Sequence, residues 1–305
     1  MSDHPQRVWN IQLLTFYMMK KQITNTIYTL LAGLLLALPV RAGVVTDSLQ
    51  SNILGVTKYY NVYLPPSFKQ DVQAHYYPVL YLLHGFTDNH RAWMEKGQMD
   101  RVMDELIACG EIPPMVVVMP NAGGADVRRI WNGYFNMPGW NYEDFFFQEL
   151  LPAVEEKYRA GGSKGQRAIA GLSMGGGGSV GYAVAHPDVF AACYAMSAWL
   201  DGEKRDDVKL DDKRGLLTNA VSERCPMRLL DQADDQQLSA LRGVRWYIDC
   251  GDDDFLFDQN IEFYKKLRQK RIHVQLRVRD GGHTWEYWHN ALRLCLPFVS
   301  RSFSK

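Results

Sequence analysis

The stretch Gly171-Leu172-Ser173-Met174-Gly175-Gly176 decides the fold. A short predicted strand ends just before it, and a helical segment rich in small residues follows it. Gly-x-Ser-x-Gly at a turn from strand to helix is typical of a nucleophile elbow, which exposes the serine hydroxyl above a sheet. Side chains at Gly171 and Gly175 would collide with neighbouring elements. The N-terminus of the following helix faces the oxyanion, the negative charge that develops on the carbonyl oxygen during attack. The pattern therefore predicts Ser173 as a nucleophile.

Short apolar runs alternate with helical patterns along the rest of the chain. Near-continuous apolar runs indicate strands covered on both faces, and apolar spacings of three and four indicate helices. This alternation predicts an α/β fold, a mostly parallel central sheet with helices on both faces, and the elbow makes it an α/β fold of the α/β-hydrolase type. Pro152 is expected to kink or divide one helix, and Asp258 is expected to cap another. The predicted strands are residues 59–64, 79–83, 115–119, 168–170, 192–196, 246–250 and 274–278, and two predicted helices are 99–108 and 147–158.

His283 is the predicted general base. It lies in Gly281-Gly282-His283, on a loop after the last predicted strand, from which an imidazole reaches back to the elbow. His84 lies before Gly85 and is interpreted as a support for its own loop, while His186 at a helix end is interpreted as a cap. The remaining histidines have no supporting motif.

A carboxylate must orient that base. Asp252, Asp253 and Asp254 directly follow the predicted strand that ends at Cys250. The resulting chain order of Ser, Asp and His is the order of α/β-hydrolases. Spacing alone does not choose among the three aspartates.

Two backbone N–H groups are predicted to form an oxyanion hole. Met174 follows the nucleophile directly, and Phe86 belongs to the loop after the strand 79–83. Gly85 allows this loop to approach closely. Each such donor lowers the barrier of acyl transfer by about 3 kcal/mol.

Four segments taken together resemble the putative esterase family, which includes feruloyl and acetyl esterases, tributyrin esterases, S-formylglutathione hydrolases and mycolyltransferases. The resemblance covers roughly residues 50–300. It implies that the acid is the third residue after a glycine, which is Asp254, and it agrees with Ser173, His283, Phe86 and Met174. The segments are Pro78-Val79-Leu80-Tyr81-Leu82-Leu83-His84-Gly85, Gly171-Leu172-Ser173-Met174-Gly175-Gly176, Gly251-Asp252-Asp253-Asp254 and Gly282-His283-Thr284-Trp285-Glu286-Tyr287-Trp288.

The motifs and this resemblance predict a serine carboxylic-ester hydrolase that needs no cofactor and acts on feruloyl or acetyl esters of plant polysaccharide, or on related short esters. Trp131, Tyr134 and Trp285 are predicted to contact the substrate, because aromatic rings suit both a feruloyl ring and a sugar face. The alternatives are an S-formylglutathione hydrolase-like thioesterase, an acyltransferase, a serine peptidase and a binding protein that has lost activity.

Residues 1–42 have the order of a secretory signal. Lys20 and Lys21 precede the apolar segment 27–38, and small residues lead to a predicted cleavage near Ala42. The apolar segment is shorter than the about 20 residues that a bilayer span needs, although an N-terminal membrane anchor is the alternative. Met18 and Met19 are alternative translation starts, because a signal does not require residues 1–17. The mature domain, 43–305, is expected to be exported to the periplasm or medium without stable membrane insertion.

Charge and cysteine content bear on whether the protein binds nucleic acid or a metal ion. The chain has 34 basic and 34 acidic residues, so no electrostatic feature favours nucleic acid. None of its five cysteines lies at metal-ligand spacing, and no metal site is predicted. The charged segment 201–243 is either a lid over the active site or a solvated excursion. The sequence leaves oligomeric state and disulfide pairing open.

Overall fold

The computed structural model describes residues 43–69, 76–123 and 133–304, and its centre is an eight-stranded sheet. The strand order is β1-β2-β4-β3-β7-β8-β9-β10, and β5 and β6 form a separate hairpin. Pairs β1/β2 and β2/β4 are antiparallel, and every other pair in the large sheet is parallel. The strands are β1 (Gly43–Gln50), β2 (Thr57–Leu64), β3 (Val79–Leu83), β4 (Val116–Pro120), β5 (Asn136–Met137), β6 (Trp140–Asn141), β7 (Arg167–Leu172), β8 (Ala192–Met196), β9 (Arg245–Gly251) and β10 (Val274–Arg279).

Helices cover both faces of this sheet because successive side chains of a strand point to opposite faces. In β3, Tyr81 packs into one apolar layer while Leu80 and Leu82 pack into the other. The helices are α1 (Ala92–Glu95), α2 (Met99–Ala108), α3 (Tyr142–Phe145), α4 (Leu151–Tyr158), α5 (Met174–Ala185), α6 (Lys213–Glu223), α7 (Pro226–Gln232), α8 (Asp235–Arg242), α9 (Phe257–Gln269) and α10 (Trp285–Ser300). The first layer includes α3, α4, α5 and α9, and the second includes α2 and α10.

The predicted α/β-hydrolase architecture is confirmed, and two local expectations are refined. The helical region around Pro152 is divided into α3, a π-helical segment Phe146–Leu150 and α4, with Pro152 in the first turn of α4. The backbone stays helical through this region, and the Leu151 N–H donates to the Phe146 carbonyl, so Pro152 lies where π-helical spacing gives way to α-helical spacing. The prediction of Asp258 as a cap was wrong. Helix α9 begins at Phe257, so Asp258 lies inside its first turn.

Residues 201–243 form a packed helical segment between β8 and β9. It contains α6, α7 and α8, and Leu217, Leu230 and Leu241 from these helices are buried in the main core. Burial of several leucines makes the segment part of the domain, while its action as a lid stays a prediction. The predicted signal, 1–42, lies outside the described residues. Within the described ranges, none of the helices has both the length and the apolar character needed to cross a bilayer.

Candidate active site

Ser173 lies at a strained turn between β7 and α5. Its φ of 54° and ψ of −120° are rare for a residue with a side chain. A Cβ atom on Gly175 would lie 2.5 Å from the carbonyl oxygens of Leu83 and His84, and one on Gly171 would lie 2.4 Å from the Gly175 oxygen. Only glycine fits at both positions. The turn is held by the Ser173 N–H, which donates to the Met196 carbonyl of the neighbouring strand at 2.9 Å.

A chain of hydrogen bonds joins three side chains from distant parts of the sequence. The Nε2 atom of His283 lies 2.9 Å from the Oγ of Ser173. The Nδ1 atom of the same ring lies 2.9 Å and 3.1 Å from the two carboxylate oxygens of Asp254. An imidazole between a hydroxyl and a carboxylate, at these distances, is arranged to accept the hydroxyl proton.

The environments of the three aspartates distinguish Asp254 from its neighbours. Its side chain is fully buried, whereas Asp252 and Asp253 are exposed. Burial raises the pKa of Asp254, but hydrogen bonds from His283, the Leu256 amide and Ser197 outweigh this effect and hold the pKa below its ordinary value. The carboxylate is therefore ionised at neutral pH. Sequence spacing had not separated the three.

Asp252 and Asp253 have a different place in the structure. Asp252 accepts a hydrogen bond from the Gly281 amide and so ties together the two loops that carry Asp254 and His283. With Asp280, these two aspartates form a group whose carboxylate oxygens lie within 4.8 Å of one another. All three are exposed, and exposed acidic groups of this kind are common, so we assign no ion to them.

Ser197 was not identified from the sequence, although it lies against the acid. It has a positive φ of 45°, is fully buried, and its hydroxyl accepts a hydrogen bond from the Trp288 indole at 3.1 Å. Its backbone N–H donates to the Asp249 carbonyl at 2.8 Å, which fixes the loop after β8. Because the Ser197 hydroxyl also interacts with Asp254, this residue helps to position the carboxylate. No motif marks it in the sequence.

The loop after β3 carries the predicted oxyanion donor Phe86, and Met174 begins α5. Phe86 and Gly85 both line the cavity that contains Ser173. The assignment of the two N–H groups as oxyanion donors stays a prediction.

Buried polar contacts hold this loop in place. The Nε2 of His84 accepts a hydrogen bond from the Ala122 amide at 3.0 Å, so its Nδ1–H donates to the Gly85 carbonyl at 2.8 Å. Burial lowers the pKa of His84 to about 4, which keeps the ring neutral. These contacts agree with the interpretation of His84 as a loop support. Tyr134 contributes as well, because its hydroxyl donates to the His84 carbonyl at 3.1 Å.

The Ser173 hydroxyl faces a cavity of about 520 Å³ that is mostly apolar. The predicted residue Trp285 lines it, but Tyr134 does not, because its ring is buried in the core and only 1% exposed. Trp131 lies outside the described residues. The lining residues are Gly85, Phe86, Thr87, Asp88, Lys96, Leu172, Ser173, Trp199, Arg214, Thr218, Phe255, Leu256, His283, Trp285 and Trp288.

Several of these lining residues had not been predicted. Phe255 is 77% exposed, and its ring centre lies 4.5 Å from that of His283. Its position directly after Asp254 is the one signal that a sequence analysis could have used. Trp199 follows β8, while Arg214 and Thr218 come from α6 of the insertion.

Comparison with known proteins gives a family and two similar structures. A family model described as putative esterase matches residues 51–298. A ferulic acid esterase of known structure is 49% identical, with a TM-score of 0.81 over 87% of this chain and 100% of that chain. FphF, a fluorophosphonate-binding serine hydrolase of Staphylococcus aureus, is 26% identical, with a TM-score of 0.70 over 85% of this chain and 99% of that chain.

One curated relative is much longer than this chain. An endo-1,4-beta-xylanase/feruloyl esterase of Xylanibacter ruminicola is 38% identical over 118 residues, which are 38% of this chain and 16% of that protein. This chain therefore spans a small part of that relative's length. The expectation of a carboxylic-ester hydrolase is confirmed by the family match together with these likenesses. The chain belongs to the putative esterase family.

Proposed function

We propose that this chain cleaves feruloyl or acetyl esters of plant polysaccharide, or related short esters, through an acyl-enzyme on Ser173. The observation that carries the proposal is the hydrogen-bonded chain from Asp254 through His283 to Ser173, which opens on the apolar cavity. Two similar proteins, a ferulic acid esterase and a xylanase/feruloyl esterase, support the feruloyl group.

The proposed reaction has two halves, and His283 moves the proton in both. The Oγ of Ser173 attacks the ester carbonyl carbon while its proton passes to Nε2 of His283, and the Phe86 and Met174 N–H groups bind the oxyanion. Collapse of the tetrahedral intermediate breaks the bond to the alcohol oxygen, which takes the proton from His283. Water then attacks the acyl-serine, giving its proton to the same nitrogen, and the acid leaves as Ser173 regains its proton. The ionised Asp254 stabilises the imidazolium at each stage.

The aromatic walls give the reason to favour an aromatic acyl group. Trp199, Phe255 and Trp288 place large apolar surfaces around Ser173, and aromatic pairs gain energy beyond simple burial. The test is a panel of methyl ferulate, acetylated xylan, 4-nitrophenyl acetate, S-formylglutathione and a 4-nitroanilide. We expect kcat/KM for methyl ferulate to exceed that for the anilide by at least about 10³-fold. Fast cleavage of acetylated xylan alone would favour the acetyl alternative, and cleavage of S-formylglutathione alone or of the anilide would contradict the proposal.

We also propose that the protein is exported, because an enzyme can reach a polysaccharide substrate only outside the cell. The support is the charged, apolar and small-residue order of residues 20–42. In a bacterial host that expresses residues 1–305, the mature protein is expected to start near Gly43 and to appear outside the cytoplasm. The N-terminal sequence of the purified protein checks this expectation. Intact residues before position 43 on active cytoplasmic protein would overturn it.

A further inference from the structure

Some of the charged side chains that line the cavity have an ion-pair partner of opposite charge, and one does not. Lys96 forms an ion pair with Asp88 at 2.6 Å, and its ammonium group lies 5.7 Å from the Trp285 ring centre. Both members of this pair line the cavity, so their charges cancel there. Arg214 lines the same cavity with an exposed side chain, and within residues 43–69, 76–123 and 133–304 its guanidinium has no carboxylate partner.

Among the arginines of residues 201–243, Arg214 differs in having no hydrogen-bond acceptor for its guanidinium in the described ranges. Each of the others has a hydrogen-bond acceptor in the protein. The pairs are Arg205 with Asp207, Arg224 with Glu143, Arg228 with Asp201, and Arg242 with the Lys270 carbonyl. Of these five arginines, the one that lines the cavity is also the one whose guanidinium has no acceptor among the described residues.

Helix α6 presents Arg214 from a fixed position. The Asp212 carboxylate caps the helix by accepting from the Gly215 amide at 2.8 Å, and Leu216, on the side of the helix away from Arg214, is buried in the main core. Thr218, one turn after Arg214, lines the cavity as well, and its hydroxyl donates to the Arg214 carbonyl at 2.9 Å. Residues i and i+4 share one face of a helix, so this face of α6 forms part of the cavity wall.

We propose that Arg214 is a specificity-determining residue that binds a carboxylate carried by the ester substrate. A guanidinium offers a planar pair of N–H donors that matches a carboxylate, and it does so best at the edge of a partly desolvated site. The aromatic walls around Ser173 would hold the uncharged part of the same substrate. The inference rests on the proposed function and adds to it a preference for esters with a negative charge near the reacting carbonyl.

The carboxylate has two possible sources, the acyl group or the sugar, and two matched pairs of substrates separate them. Mono-4-nitrophenyl succinate and 4-nitrophenyl butyrate differ in charge on the acyl side. The feruloyl esters of glucuronic acid and of glucose differ in charge on the alcohol side. We expect the wild type to prefer the charged member of one pair, and the pair that shows the preference identifies the source.

The variant that tests the residue is Arg214→Gln, and Lys213→Gln is the matched control. Both remove one positive charge from the start of α6, but Lys213 does not line the cavity. Arg214→Gln is expected to lower kcat/KM for the preferred charged ester about fivefold, mainly through KM, and to change the neutral ester less than twofold. Arg214→Lys should retain part of the preference for the charged ester, and Lys213→Gln should retain all of it. Added salt should weaken this preference in the wild type.

Three results would overturn the proposal. One is a wild type with no preference in either pair, and another is an equal loss for charged and neutral esters in Arg214→Gln. The third is a loss in Lys213→Gln as large as that in Arg214→Gln, which would indicate a general field effect. A failure of the proposed function looks different, because the wild type would then leave the neutral esters uncleaved as well, and the Arg214 proposal would fall with it.

Discussion

Ser173→Ala is expected to abolish hydrolysis of 4-nitrophenyl acetate and labelling by a fluorophosphonate. The variant keeps His283 and Asp254 hydrogen-bonded but removes the oxygen that lies 2.9 Å from the imidazole. Loss of the nucleophile of such a triad typically lowers kcat by about 10⁴-fold or more, and what remains comes from binding and the oxyanion site. Initial rates and gel fluorescence after labelling measure the two effects.

Ser179→Ala is a suitable control for that experiment. Ser179 lies on the same helix, and its buried hydroxyl donates to the Gly175 carbonyl four residues earlier, a bond that contributes little to helix stability. We expect this variant to react with the probe and to keep turnover within a few-fold of the wild type. Ser173→Ala protein that melts at the wild-type temperature and still hydrolyses the ester at the normal rate would exclude the acyl-enzyme mechanism.

Local sequence patterns were sufficient where one short segment determines the geometry. The bounds of β3 and β8 match their apolar runs, since both strands are buried on both faces. The elbow was recognisable because its glycines are required by contacts between adjacent elements. Strand β1 was missed because it lies at the edge of the sheet and is largely exposed, so it carries no continuous apolar run.

Features that depend on contacts between distant parts of the chain could not be predicted from local sequence patterns. The choice of Asp254 needed a family resemblance, because its burial and its bond to the Leu256 amide are tertiary properties. Tyr134 was assigned to the substrate on composition alone, whereas its ring packs against Gly178 of α5 in the core. Arg214 had no local signal, since only the placement of α6 beside the cavity distinguishes it from other surface arginines.

The second large effect is expected for Asp254→Asn, with a fall in kcat of about 10³- to 10⁴-fold. The carboxylate of Asp254 accepts the Nδ1–H of His283, which leaves Nε2 unprotonated and able to accept the Ser173 proton. An asparagine amide can instead donate to Nδ1, and this favours the tautomer whose proton sits on Nε2. It also removes the charge that stabilises the imidazolium. Measured kcat for 4-nitrophenyl acetate, with KM little changed, is the readout.

The chain supplies a matched control for this substitution in the preceding residue. Asp253→Asn makes the same chemical change, but that side chain is exposed and contacts neither His283 nor Ser173. We expect its kcat to stay within about twofold of the wild type, as is usual for surface substitutions. Because the three aspartates are adjacent, the comparison separates a specific bond to the imidazole from a general loss of negative charge. Inactivation by Asp253→Asn with full activity in Asp254→Asn would show that burial and a 2.9 Å contact had identified the wrong acid.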